Sequence, residues 1–164
     1  MADVPVFMIS RIFEAPIEQV FDAWADQEKM AAWSGPPGAK LTPLSGEIEE
    51  GSVMHTRSDH PEMGTTYTLA LWREVKPPSR IAWEQSFADE AGDKIRPSFF
   101  PHWPLTLLTE VDFESIDSGT RITLTWTPIE ATPEDIAEFE RQMGSMKMGW
   151  GGSLDKLAEM LAAS

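Results

Sequence analysis

Cysteine is absent from the 164 residues. Its absence excludes disulfides, thiolate metal centres and a cysteine nucleophile, and it suits a reducing cytoplasm. Positive charge is also scarce: 13 Lys and Arg stand against 27 Asp and Glu, a formal net charge of −14. The cations are scattered rather than gathered into a stripe, so the chain repels phosphate backbones and anionic lipid surfaces. Nucleic acid and membranes are therefore not expected as partners. No apolar run approaches the ~20 residues of a spanning helix. Met1-Ala2-Asp3-Val4-Pro5 lacks the basic and apolar regions of a secretion signal, so the expected location is cytoplasmic. The signatures of common catalytic sites are missing as well: no H-E-x-x-H, no G-x-S-x-G, no phosphate-cradling glycine loop and no dinucleotide fingerprint. Neither a metal nor another cofactor is expected.

Tyrosine is reduced to Tyr67 alone, whereas tryptophan occurs seven times, beside eight Phe and nine Met. Trp24, Trp33, Trp72, Trp83, Trp103, Trp126 and Trp150 are large and polarizable groups that fill cores or line apolar pockets. A hydrophobic fraction of 41% is ordinary for a globular chain of this size, and no linker or repeat divides it. One domain over residues 1–164 is expected.

The pattern begins with a strand from Val4 to Phe13. Pro16 suits the first position of a helix, on which Ile17, Val20, Phe21 and Trp24 form one apolar face. Asp26 caps a second short helix, Gln27 to Trp33, stopped by Ser34-Gly35-Pro36-Pro37-Gly38. From Leu41 to Trp126 the period is about two. Expected strands run Leu41 to Glu49, Val53 to Ser58, Thr65 to Val75, Ile81 to Phe87, Leu105 to Ser115 and Thr120 to Trp126. Asp117-Ser118-Gly119 marks a hairpin, and the proline-rich stretch Ala88 to Pro104 reads as an irregular loop.

The last segment starts with Thr132 as N-cap, Pro133 at the first helical position and Asp135 completing a capping box. Ile136, Phe139, Met143, Met146, Trp150, Leu154, Leu157 and Leu161 continue one stripe along a helix of roughly 45 Å. Gly144, Gly149, Gly151 and Gly152 lie inside it, each costing about 1 kcal/mol relative to alanine. Either the helix bends there, or a strand packs very close, or the segment moves. The whole reads as α+β, a curved antiparallel sheet wrapped around a long C-terminal helix, with an imperfect fit leaving a cavity.

Several stretches resemble a known family. Pro16-Ile17 through Trp24 with Ala32-Trp33-Ser34-Gly35-Pro36-Pro37-Gly38 is similar to the opening of the activator-of-heat-shock-protein-90-ATPase homologues. That group lies within the START-related, birch-pollen-allergen-like (SRPBCC) superfamily. Glu74-Val75-Lys76-Pro77-Pro78-Ser79-Arg80-Ile81, Gly119 to Thr125, and Gly149-Trp150 with Leu154-Asp155-x-Leu157 resemble its later motifs. Ser34 stands where the family often has a second tryptophan, Ser45-Gly46-Glu47-Ile48 is a loose version of another motif, and the loop from Arg96 to Pro104 is unusual. The resemblance implies a helix-grip fold of about seven strands and a small apolar molecule or lipid as partner. Its name adds a co-chaperone role in the stress response, and a homodimer is compatible with either. Some superfamily members are cyclases or hydrolases, which here would require His55, His102 or a carboxylate such as Glu84 near a substrate. Glu110 and Asp112, sharing one strand face, read as solvated acids, and His60 as part of a solvated turn.

The candidate ligand-binding residues follow from helix and strand phase. Met143, Met146 and Trp150 come from the C-terminal helix, with Phe139 nearer its start. Trp72, Trp83, Phe87 and Trp126 come from the sheet. Phe99, Phe100, His102 and Trp103 form a candidate lid. No catalytic residue is assigned.

Overall fold

The computed structural model describes residues 4–35 and 38–163. Pro36 and Pro37, in the expected stop after the second helix, lie outside the described residues.

The first strand, β1 (Phe7–Phe13), leads into α1 (Ile17–Ala25) and α2 (Gln27–Trp33). Pro16 is extended and sits at the cap, one position earlier than expected, with its carbonyl accepting from the Val20 N–H at 3.0 Å. The Asp26 carboxylate accepts from the Lys29 N–H at 3.0 Å and starts α2 as expected. Six strands follow: β2 (Lys40–Ser45), β3 (Val53–His60), β4 (Gly64–Lys76), β5 (Arg80–Ala88), β6 (Thr106–Ile116) and β7 (Gly119–Glu130). They form one seven-stranded antiparallel sheet in the order β1-β7-β6-β5-β4-β3-β2. Two helices between β1 and β2 carry the chain from one edge to the other, and every later strand pairs with its predecessor. The β6–β7 hairpin turns at Gly119, where φ is +146° and a Cβ would lie 2.1 Å from the Phe13 carbonyl oxygen. Only glycine fits.

The C-terminal segment is not one helix. It divides into α3 (Pro133–Arg141) and α4 (Met143–Ala162). Gln142 takes φ −93° and ψ 6°, and its N–H is shared between the carbonyls of Glu138 and Phe139, at 3.1 and 3.2 Å. A one-residue interruption leaves the three-and-four spacing intact, so the apolar stripe runs through the break without registering it. The expected capping box at Thr132 and Asp135 is formed. The glycines are not where the helix breaks: Gly144, Gly149, Gly151 and Gly152 all lie within α4. A Cβ on Gly144, Gly149 or Gly151 would meet nothing within 4 Å, so no strand packs against these three.

The packed core lies toward the β1–β7–β6 side. Val20, Phe21 and Trp24 of α1 and Trp33 of α2 meet Val111, Phe113, Ile122 and Leu124 from the sheet, and Leu154 and Leu157 from α4. Phe21 meets Phe113 edge to face at 5.0 Å, and Trp24 meets Trp33 at 4.5 Å. Arg11 of β1 fastens α4 to this edge through Asp155 at 2.9 Å.

Candidate functional site

The register of the sheet places a graded surface beneath α2 and the first half of α4. Directly paired residues share a face. Trp72 on β4 pairs with Trp83 on β5, Trp83 with Thr109 on β6, Thr109 with Trp126 on β7, and Trp126 with Phe7 on β1. This row crosses five strands. One step along, Met54, Ala70, Gln85 and Leu107 form the next row. Beyond it, Thr56, Thr68 and Phe87 line up, and then Ser58 opposite Thr66 and His60 opposite Gly64. The surface therefore runs from indoles to hydroxyls along the strands.

Above it lies a cavity of about 460 Å³, a size suited to a small organic molecule. Met146, Gly149, Trp150 and Ser153 of α4 and Gln27 and Met30 of α2 roof it. Trp150 stacks on the buried Trp24 at 6.2 Å and meets Trp126 edge on at 5.5 Å. Trp126 donates its indole N–H to the buried Thr109 hydroxyl at 2.7 Å, and Trp83 donates to Gln85 at 3.2 Å. The buried Trp72 N–H has no acceptor among the described residues.

Of the residues expected at the site, Trp72, Trp83, Phe87, Phe99, Phe100, Trp103, Trp126, Met146 and Trp150 border the cavity. The other three do not. Phe139 is fully buried behind Trp103, their rings 5.9 Å apart, and Met143 packs half-buried against the core. His102 is exposed. In the loop, Phe99, Phe100 and Trp103 form an aromatic chain beginning at Phe87, with successive centroids 5.9, 5.3 and 5.2 Å apart.

That loop is tied to α3. Arg96 donates to the Trp103 carbonyl at 3.1 Å and to Asp135 Oδ2 at 2.7 Å. Burial of Asp135 opposes its ionisation, but hydrogen bonds from Arg96 and Thr132 outweigh this and hold its pKa below the ordinary carboxylate value.

The residues weighed for acid–base chemistry are dispersed. His55 Nε2 lies 3.1 Å from the Asp89 carbonyl and does not border the cavity. Glu84 pairs with Arg73, while Glu110 and Asp112 both bind Arg80, which also reaches Glu74 at 3.3 Å. None of these carboxylates borders the cavity. His60, read from the sequence as a solvated turn, instead ends β3 at the cavity wall. Its Nδ1 accepts from the Glu62 and Met63 N–H groups at 3.0 Å each, which places any single ring proton on Nε2.

The hydroxyl-bearing wall, Thr56, Ser58, Thr66 and Thr68, also went unnoticed in the sequence. Period-two alternation on neighbouring strands is its only trace, and alternation does not say which face turns inward.

Residues 14–162 match the family model described as Activator of Hsp90 ATPase homolog 1-like protein. No curated protein matches the sequence. Among solved structures, one from Arthrobacter aurescens superposes with a TM-score of 0.81 at 20% identity, covering 98% of this chain and 88% of that one. One from Mycobacterium smegmatis gives 0.79 at 20% identity, over 98% and 93%. An AHSA1 protein from Silicibacter pomeroyi gives 0.74 at 18% identity, over 97% and 99%. At these identities the likeness is one of fold.

Proposed function

The chain belongs to the Activator of Hsp90 ATPase homolog 1-like family, and from that premise we propose that it binds a small, largely apolar ligand in the cavity between sheet and α4, without transforming it. The observation that carries this reading is the composition of the wall. Trp72, Trp83, Trp103, Trp126 and Trp150 all border one space, and no Lys, Arg, Asp or Glu does so among the described residues. Indoles offer large, rigid contact area at low entropic cost, which makes them efficient partners for an apolar or aromatic guest. The reading as a binder rather than an enzyme is supported by the dispersal of His55, His102 and Glu84, which share no approach to this space.

Native mass spectrometry of gently purified protein tests the proposal. The expected result is a reproducible adduct on the order of a few hundred daltons, lost in Trp150→Ala while the fold persists by circular dichroism. A bare mass, together with no saturable uptake of the neutral dye N-phenyl-1-naphthylamine, overturns it.

A further inference from the structure

The cavity wall is polar at one end in a specific way. Thr56 pairs with Thr68 and Ser58 with Thr66, so four side-chain hydroxyls lie in two adjacent cross-strand pairs, all bordering the cavity. None has a side-chain hydrogen-bond partner among the described residues. The hydroxyls in the opposite situation are easy to recognise in the same sheet. Thr109 accepts from Trp126, and Thr106 bonds Glu130 at 2.6 Å and Lys94 at 2.8 Å. On β4 alone, Trp72, Ala70, Thr68 and Thr66 succeed one another at every second residue. The passage from indole to hydroxyl therefore spans roughly 20 Å at the usual strand rise.

Lys, Arg, Asp and Glu are missing from the wall among the described residues. The imidazole on the wall, His60, accepts at Nδ1 from the Glu62 and Met63 N–H groups, and Lys156 of α4 directs its ammonium to the carbonyls of Ser34 and Gly35 at 3.5 and 3.3 Å. An anionic head would meet no Lys or Arg in this wall, inside a chain of net charge −14. Serine and threonine hydroxyls, in contrast, both donate and accept, and match a neutral alcohol or carbonyl without any compensating ion.

We infer that the ligand is a neutral amphiphile, oriented with an alcohol or carbonyl oxygen against the Thr56–Thr68 and Ser58–Thr66 pairs and its apolar body among Trp72, Trp83, Trp126 and Trp150. The inference rests on the binding function proposed above and adds the charge and direction of the guest. A fatty acid, a phosphate ester or an amine is thereby disfavoured.

Three probes with one shared body test this by titration of tryptophan fluorescence: biphenyl, 4-biphenylmethanol and biphenyl-4-carboxylate. The alcohol is expected to bind about tenfold more tightly than biphenyl, and the carboxylate about tenfold more weakly than the alcohol or worse. In Thr56→Val/Thr68→Val and in Ser58→Ala/Thr66→Val, the advantage of the alcohol over biphenyl should shrink while biphenyl affinity holds. Retained biphenyl affinity shows that the variants are folded. The inference is overturned if the carboxylate binds most tightly, or if neither variant changes the alcohol-to-biphenyl ratio. Should none of the three saturate the protein, the binding function itself fails, and the inference with it.

Discussion

Arg96 in the loop between β5 and β6 bonds Asp135 in the first turn of α3 at 2.7 Å, and Asp135 is only 1% exposed. The carboxylate serves two structures at once, since it also accepts from the Thr132 N–H at 2.9 Å in the capping box. Removing its cationic partner leaves a buried charge. Arg96→Met, which keeps most of the stem, should lower stability by about 1–2 kcal/mol in urea unfolding, the partial exposure of Arg96 holding the loss below that of a fully buried pair. The same variant should loosen the loop that carries Phe99, Phe100 and Trp103, seen as faster amide exchange there.

The pH dependence of that pair has a definite sign. Asp135 is ionised more readily in the folded protein than its ordinary value of 3.8 allows. Its contribution to stability is therefore present above that value and is lost as pH falls through the lower, native one. Wild-type protein should lose stability on acidification from neutral pH more steeply than Arg96→Met. Parallel curves for the two in urea titrations would contradict the assignment.

Gly151 lies in the interior of α4 and Gly144 in its first turn, each with open space where a Cβ would sit. Nothing in the packing requires glycine at either position. Gly151→Ala should raise stability by about 0.5–1 kcal/mol and Gly144→Ala, in the first turn, by less, read from the urea midpoint. Gly149, which borders the cavity, should gain similar stability as alanine but lose affinity for a bulky guest.

Trp72 and Trp126 form a matched pair for measuring one hydrogen bond. Both line the cavity and both lie on the same cross-strand row, but only Trp126 has an acceptor for its N–H, the fully buried Thr109 hydroxyl. Phenylalanine removes the donor in either case. Trp126→Phe should cost about 1–2 kcal/mol more than Trp72→Phe, because it also strands Thr109. Equal costs would mean that the Thr109 bond contributes nothing net.

On the outside of the sheet, Arg80 holds Glu74, Glu110 and Asp112 together. Arg80→Met leaves three carboxylates facing one another in an already acidic protein. The destabilisation should be larger at about 20 mM salt than at about 500 mM, where the screening length is only a few ångströms. Ligand affinity should be unchanged, since none of these groups borders the cavity.

What the sequence determined by itself is the kind and order of elements. The Asp26 cap, the Thr132–Asp135 capping box and the Gly119 turn depend on neighbours within a few residues, and all are present where the sequence places them. Strand ends are not: the first strand starts at Phe7 rather than Val4, the second ends at Ser45 rather than Glu49, and the last runs past Trp126 to Glu130. Tertiary structure decided which face of each strand looks inward. On β4, Tyr67, Leu69 and Leu71 alternate with Thr66, Thr68, Ala70 and Trp72; the indole of Trp72 points that residue to the cavity, but nothing local carries Thr66 and Thr68 with it. The second set forms the continuous rows with Gln85, Thr56, Ser58 and Trp83. The reason is that α4 meets a cavity there rather than a packed core, so small and hydroxylated side chains are tolerated where a dense interior would reject them. The break at Gln142 is of the same kind: the local spacing of the helix permits either a straight or an interrupted course, and packing of Phe139 against Trp103 is seen only once the loop and α3 are assembled.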